Sequence, residues 1–485
     1  MYFNHTLEIL KKYMEIAKNL IFQKKDTNYL LMSIAISCYY ILKYIQFNVF
    51  FNQLKKKIIS REIEILFSSS LNNWRDYKHK DGKNYEYDLM IGDVLEQSKK
   101  MFSIKCIDRD PTNKFRSKSA TLNKYRNSDD WICIEQYITI KDVFKAFTYS
   151  IQSLVGMKID DEFKKYFCII GSKINVNSYM KLLICKNILH EIQPNILLLT
   201  CEYCPFHKEM VYTAHQYKIP TIALQHGIIT DQHPGYMYDD KSFRAILPDV
   251  TCVFGEEHYK LLVEKSIYEP QKVVVTGNPR YDILNYAKKL YSREDFFKRY
   301  SLNPDNKIVL WTTQCHGISD KENKNNFKAM FKTLQNLKDV TLIIKQHPGE
   351  GEKYTKMIKD ALKNHNLNIV ITPKNSDTYE QLYMCDILVI KDSTTAMEAV
   401  ALNKPVIVLN LSGEPDVERY VTEGVALGVY NEKDLKPTIE ELLRDDFELA
   451  ENRDKYIEQY LYKIDGKSTE RVVQLIEKTL DEWDG

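Results

Sequence analysis

The chain has 485 residues, 44% of them hydrophobic and 12% aromatic, with 68 Lys+Arg against 66 Asp+Glu. This length and composition suit two or three globular domains and exclude a disordered or low-complexity chain. A formal net charge of +2 excludes a protein built to neutralise phosphate backbones, so no nucleic-acid partner is expected.

The charge is uneven. Residues 1–60 hold nine Lys against Glu8, Glu15 and Asp26, an excess of +6 that leaves −4 for the remainder. Within them, residues 27–42 form an uncharged run, shorter than the ~18–20 apolar residues that a membrane-spanning helix needs. No small-residue cleavage site follows, and a cytoplasmic location is expected. Two readings of this N-terminal helical segment stand side by side. Lys24, Lys25, Lys55, Lys56 and Lys57 could draw an interfacial helix to anionic lipid, giving peripheral membrane contact through residues 1–60. Alternatively the segment is a buried helical hairpin on the first domain. The ten cysteines, mostly inside apolar runs, read as reduced thiols.

From Glu62 onward, short β-rich runs alternate with helical stretches. Strands are predicted at 62–69, 101–107, 195–200 and 221–225, with a helix near 87–99 and mostly helical chain over 141–190. Residues 108–127 read as a polar, basic loop, solvated or facing an anionic acceptor. The second half repeats the alternation, with strands at 250–254, 272–277, 307–313, 340–346, 367–372, 386–391 and 404–410. Nearly continuous apolar strands between helices belong to parallel sheets covered on both faces. The expected organisation is an N-terminal helical segment (1–60), a Rossmann-like domain (61–240), a second one (241–450) and a helical tail (451–485). In such sheets ligands bind beyond the carboxyl ends of the strands.

Unusual residues cluster there. In the run from Asp386 to Asn410, Ser393, Thr394 and Thr395 open a helix and offer hydroxyls and backbone N–H groups to a phosphate. Glu398, one turn on, could hold a ribose diol. The alternative is plain N-capping by Asp392 or Ser393, with Glu398 completing a capping box. Lys345 and His347 end another strand, where a cation and an imidazole suit a phosphate or a base; a surface loop is the alternative. Arg280, in the run from Gly277 to Asp282, could reach a diphosphate, or the run is a tight turn capped by Asn278. Thr312 and Thr313, with Gln314 and His316 beyond them, form another candidate phosphate cradle.

In the first domain, Glu202 directly follows a strand and could take a proton from an acceptor hydroxyl. His226 has a pKa suited to general-base work, and His233 lies farther along the same loop. The Cys201, Cys204 and His207 spacing invites zinc, but no second ligand pair follows. No paired Asp motif sits at a strand end, so no metal is expected.

The runs LQHG (224–227), TGNPRYD (276–282), KQHP (345–348) and DSTTAMEAVALNKPVIVLN (392–410), in this order, resemble those of nucleotide-sugar glycosyltransferases of the GT-B fold. The pattern is similar to capsule polysaccharide transferases, CDP-glycerol glycerophosphotransferases and non-hydrolysing UDP-N-acetylglucosamine 2-epimerases; the His-Pro and Ser/Thr pair also resembles bacterial sialyltransferases. The resemblance implies a GT-B α/β architecture, two Rossmann-like doubly wound domains facing a cleft. It also implies nucleotide contact by His347, Ser393, Thr394 and Glu398. The epimerases carry a Glu-containing HVEAG where this chain reads LQHG, and DSGG where it reads DSTT, which disfavours epimerisation. The expected activity is metal-independent transfer of a sugar from a CMP-, CDP- or UDP-linked donor to a surface glycan or lipid-linked acceptor, with no cofactor besides that donor. Lys345, His347, Ser393, Thr394 and Thr395 would stabilise the departing phosphate, and Glu202 or His226 would act as base. Polyol-phosphate transfer and a non-catalytic carbohydrate-binding or scaffold protein are the alternatives.

Overall fold

The structure, a computed structural model, describes residues 29–51, 62–69, 74–88, 91–108, 131–154, 176–314, 317–347, 349–363, 365, 367 and 369–483. The first half contributes strands β1 (Ile65–Ser69), β2 (Trp74–Lys78), β3 (Asn84–Asp88), β4 (Ile104–Asp108), β5 (Trp131–Cys133), β6 (Ile196–Thr200), β7 (Thr221–Leu224), β8 (Val250–Val253) and β9 (Val273–Val275). Seven of them form one sheet in the order β5-β4-β1-β6-β7-β8-β9, every pair parallel. β1 and β6 are buried at every position, as expected of strands covered on both faces.

The second half contributes β10 (Lys307–Thr312), β11 (Val340–Lys345), β12 (Ile369–Thr372), β13 (Ile387–Ile390), β14 (Val406–Leu409) and β15 (Ala426–Val429). They pair in parallel in the order β12-β11-β10-β13-β14-β15. This is the doubly wound order in which the chain reverses direction across the sheet between the first and fourth strands. Helices line both faces: Phe327 and Phe331 pack on one side with Val309 and Ile344, and Met397 and Val400 on the other with Leu310 and Leu388.

Three expectations need correction. The first sheet takes β8 and β9, so the boundary expected at 240/241 moves beyond Val275. The tail expected as a separate unit returns to the first domain: Val472, Val473 and Ile476 of the helix Ser468–Glu482 are buried with Ile65, Phe67 and Leu95. Finally, β2 and β3 form an antiparallel hairpin where no strand was expected. Asp81-Gly82 makes its turn, with Gly82 at φ +83° and Asp81 accepting from the Lys83 N–H at 2.9 Å, a strong hairpin signal.

Of the N-terminal segment, the helix Tyr29–Phe51 follows the buried reading. Lys43 pairs with Glu135 at 3.3 Å, both side chains at most 6% exposed, and the Tyr40 hydroxyl donates to Asn177 Oδ1 at 2.6 Å. Lys24, Lys25 and Lys55–Lys57 lie outside the described residues, as do 109–130 and His316. Among the described residues no helix is long and apolar enough to cross a membrane, and the eight cysteines among them are free thiols.

The crossing between domains is built by the run from Gly277 to Asp282. Gly277 has φ +75°, and a Cβ there would stand 2.5 Å from Ser468 Oγ. The Asn278 side chain accepts from the Arg280 N–H at 3.1 Å, which is the turn cap weighed above. The Asp282 carboxylate accepts from the N–H groups of Ser468 and Thr469, at 2.8 Å each. A carboxylate there caps the returning helix and complements its dipole.

Candidate functional site

At the carboxyl edge of the second sheet, the reversal of strand order falls between β10 and β13, where an open crevice forms in this topology. Thr312 ends β10, and Ser393, Thr394 and Thr395 follow β13. The Thr312 and Thr395 hydroxyl oxygens are 3.0 Å apart, and the Thr395 hydroxyl donates to Ser393 Oγ at 2.9 Å. Gln314 closes the group by accepting from the Asp392 N–H at 3.1 Å. Ser393, Thr394 and Thr395 keep solvent access, Thr394 most of all. Ser393 Oγ also accepts from the Thr395 N–H at 3.2 Å, a local turn at the start of the helix Thr395–Ala401.

Glu398 serves neither as a capping-box partner nor as an open ribose ligand. It is 2% exposed, and its Oε1 accepts from Arg280 Nη2 at 2.7 Å. Arg280 also donates through Nε to the Tyr379 hydroxyl at 3.2 Å. Burial raises the Glu398 carboxyl, opposed by the Arg280 charge. Arg280 is thus engaged in binding the crossing segment to the second domain rather than directed at a diphosphate.

Other expected residues are also committed within the protein. The buried Thr313 hydroxyl donates to Glu350 Oε2 at 3.0 Å, where the Gln346 amide converges at 3.2 Å. The buried Lys345 donates through Nζ to the Lys374 carbonyl at 2.6 Å. His347 is exposed, and its Nδ1 accepts from the Gly349 N–H at 3.0 Å, so the neutral ring carries its proton on Nε2 and presents it as a donor.

Glu418 was not anticipated from sequence. Burial, with Asp392 adding to it, pushes its carboxyl up to about 7, and burial raises Asp392 as well. Asp392 directly precedes Ser393, whose carbonyl accepts from the Tyr420 hydroxyl at 3.3 Å. Glu418 lies in the loop after β14, with no sequence signal beyond its place at a strand end.

In the first domain, Glu202 is 3% exposed, which corrects its expected role toward an acceptor hydroxyl. The Tyr268 hydroxyl donates to its Oε1 at 2.5 Å and Thr251 to Oε2 at 3.2 Å; burial pushes the carboxyl up to about 7. His226 is half-buried and stands at the carboxyl end of β7. Its neighbour Gln225 is spent on structure, donating to the Gly227 carbonyl at 2.6 Å and accepting from the Phe254 N–H at 2.8 Å. The zinc spacing does not assemble: His207 Nδ1 meets the Cys201 carbonyl at 3.0 Å and Nε2 meets Ser68 Oγ at 2.8 Å. Nδ1 must carry the proton, and Nε2 accepts from Ser68. Among the described residues no group of three His, Cys, Asp or Glu is placed to hold a metal ion.

Two parallel-sheet domains, the second with its strand order reversing between β10 and β13, have the architecture of the GT-B type. The UDP-N-acetylglucosamine 2-epimerase family model matches residues 177–477, and the chain belongs to that family. Among solved structures, the co-structure of S. aureus MnaA with UDP is similar at a TM-score of 0.54 and 16% identity, covering 86% of this chain and 97% of that one. The Methanocaldococcus jannaschii UDP-GlcNAc 2-epimerase in complex with UDP-GlcNAc and UDP gives 0.52 and 15%, over 86% and 99%. The glycotransferase of kitacinnamycin gives 0.51 and 12%, over 86% and 99%. These likenesses show the fold. An uncharacterized protein of Methanocaldococcus jannaschii is 22% identical over 244 residues, 47% of this chain and 41% of its own length. The chain thus spans less than half of that relative.

Proposed function

We propose that the chain transfers a sugar from a nucleoside-diphosphate donor, UDP-linked by analogy with its family, to an acceptor hydroxyl. The observation that carries this reading is the convergence of Thr312, Ser393 and Thr395 hydroxyls at the point where strand order reverses. Hydroxyls and N–H groups at that edge suit a diphosphate, and Nε2–H of His347 adds a donor for the charge that grows on it as it leaves. The bond between the anomeric carbon and the phosphate oxygen breaks, and the acceptor oxygen bonds to that carbon. The acceptor's proton passes to His226, the half-buried base at the facing edge. The acceptor would be a surface glycan or a lipid-linked sugar.

Epimerisation at C2 is the second reading, favoured by the family match. It needs a group that removes and returns a carbon-bound proton. The strand end where the epimerases carry their Glu holds Gln225, an amide that cannot act as a base and whose oxygen already accepts from the Phe254 N–H, and this supports transfer over epimerisation.

Thr312→Val with Thr395→Val removes two hydroxyls while keeping their volume. The double variant is expected to bind UDP about tenfold to a hundredfold more weakly by isothermal titration, as for one or two charge-assisted bonds. Unchanged affinity would place the diphosphate elsewhere. A mass-spectrometric screen of UDP-, CDP- and CMP-linked sugars, scored by free nucleotide released, tests the reaction; no turnover of any donor would remove the enzyme reading.

A further inference from the structure

The loop after β7 carries a second His-Pro-Gly, residues 233–235, matching residues 347–349 beyond β11 in the other domain. In both, the Gly N–H donates to His Nδ1 two residues back, at 3.1 Å in the first domain and 3.0 Å in the second. Each neutral imidazole is therefore held with its proton on Nε2. Among the described residues His233 Nε2 makes no hydrogen bond, and the ring is half-buried.

His233 belongs to an aromatic group. The Tyr203 ring, three residues beyond β6, meets His233 edge-on at 4.9 Å and His226 at 6.3 Å. Tyr236 stands behind both, 5.3 Å from Tyr203 and 5.0 Å from His233. The group is rigid by construction: a Cβ on Gly235 would fall 2.5 Å from Tyr203 Cβ, so only glycine lets the loop lie against that ring. Beneath it, Glu202 anchors the chain through Tyr268 and Thr251.

The group also has room beside it and faces the second domain. A Cβ on Gly227 would meet nothing within 4 Å. Ile228, the next residue, packs against the apolar cluster that includes Leu310, Leu388 and Met397 of the second domain. Tyr203, His226 and His233 all keep partial exposure at adjacent carboxyl ends of β6 and β7. An aromatic ring flanked by two imidazoles, one of them with its N–H fixed on Nε2, suits a pyranose, whose C–H face packs on the ring while a sugar oxygen accepts from His233 Nε2–H.

We propose that Tyr203, His226 and His233 form a pyranose-binding platform in the first domain, with His233 Nε2–H donating to a sugar oxygen. This rests on the proposed use of a nucleotide-activated sugar. The pyranose comes from the donor or from the acceptor glycan, and one set of variants separates the two. Tyr203→Leu, His233→Gln and Gly227→Val are compared with wild type; the valine projects into open space from a backbone that does not require glycine.

In the donor arm, UDP and UDP-N-acetylglucosamine are titrated by calorimetry. In the acceptor arm, saturation-transfer NMR follows N,N′-diacetylchitobiose with UDP present. Wild type is expected to prefer the UDP-sugar over UDP about tenfold, or to saturate the disaccharide. Each variant should lose that signal about tenfold while its UDP affinity stays within about twofold, which also reports intact folding. Variants that keep both signals, or a wild type that binds UDP but shows neither, would overturn the platform alone. A wild type that does not bind UDP would overturn the proposed function itself.

Discussion

Replacing Arg280 by alanine is expected to destabilise the protein by about 3–5 kcal/mol, the cost of leaving one member of a buried ion pair without its partner. Glu398 is 2% exposed and Arg280 17%, with the 2.7 Å bond between them linking the interdomain crossing to the helix Thr395–Ala401. The pair's net worth is a separate quantity. With Glu398→Gln added, the orphaned charge disappears, and a large part of the loss should return. Urea unfolding of wild type, both single variants and the double variant measures this. A loss below about 1 kcal/mol in Arg280→Ala would mean that the pair is solvated like a surface bridge. Because this crossing also carries the cap on the returning helix, the Arg280 variant should loosen the attachment between domains as well.

The second large effect concerns pH. Burial raises Glu202 to about 7, above the ~4.3 of an unfolded glutamate. A folded-state pKa raised above the unfolded one gives stability that is fully present below about pH 4 and lost as pH rises through about 7. Relative to Glu202→Gln, whose amide can still accept from Tyr268 and donate to Thr251, wild type should therefore lose about 2–3 kcal/mol between pH 5 and pH 8. Denaturant midpoints for the two proteins across that range provide the check. Parallel profiles would show that Glu202 is ionised in the folded protein throughout.

Much of the fold was legible because parallel strands covered on both faces carry continuous apolar runs, such as Ile65–Ser69 and Val340–Lys345. What sequence could not supply was membership. The strands at 250–254 and 272–277 were anticipated as strands, yet adjacency along the chain does not say which sheet they join, and both extend the first. The β2–β3 hairpin escaped because its strands, WRDYK and NYEYD, hold no run of consecutive apolar residues; only Asp81-Gly82 betrays it. β15 (Ala426–Val429) escaped too: its run, ALGV, holds a glycine and is buried only at its two ends.

At the site, local motifs were readable and long-range pairings were not. Ser393, Thr394 and Thr395 fall where strand-loop-helix logic placed them, and Thr395 is met by Thr312 from a strand end 83 residues earlier in sequence. The expected freedom of Glu398 was overturned by Arg280, 118 residues away, and that of Glu202 by Tyr268, 66 residues away. Single-sequence motifs identify groups able to do chemistry; whether a partner already occupies them is decided by tertiary packing.

The most direct test of sugar transfer without C2 chemistry is NMR of UDP-N-acetylglucosamine incubated with the full chain and N,N′-diacetylchitobiose as acceptor in D2O. Removal and return of the C2 proton exchanges it with solvent, whereas cleavage at the anomeric carbon leaves it in place. The predicted result is phosphorus signal moving from UDP-sugar to UDP with the C2 proton retained in the sugar. Deuterium at C2 with the C2 epimer appearing and no net UDP release would contradict it, and would assign the chain the epimerase reaction of its family.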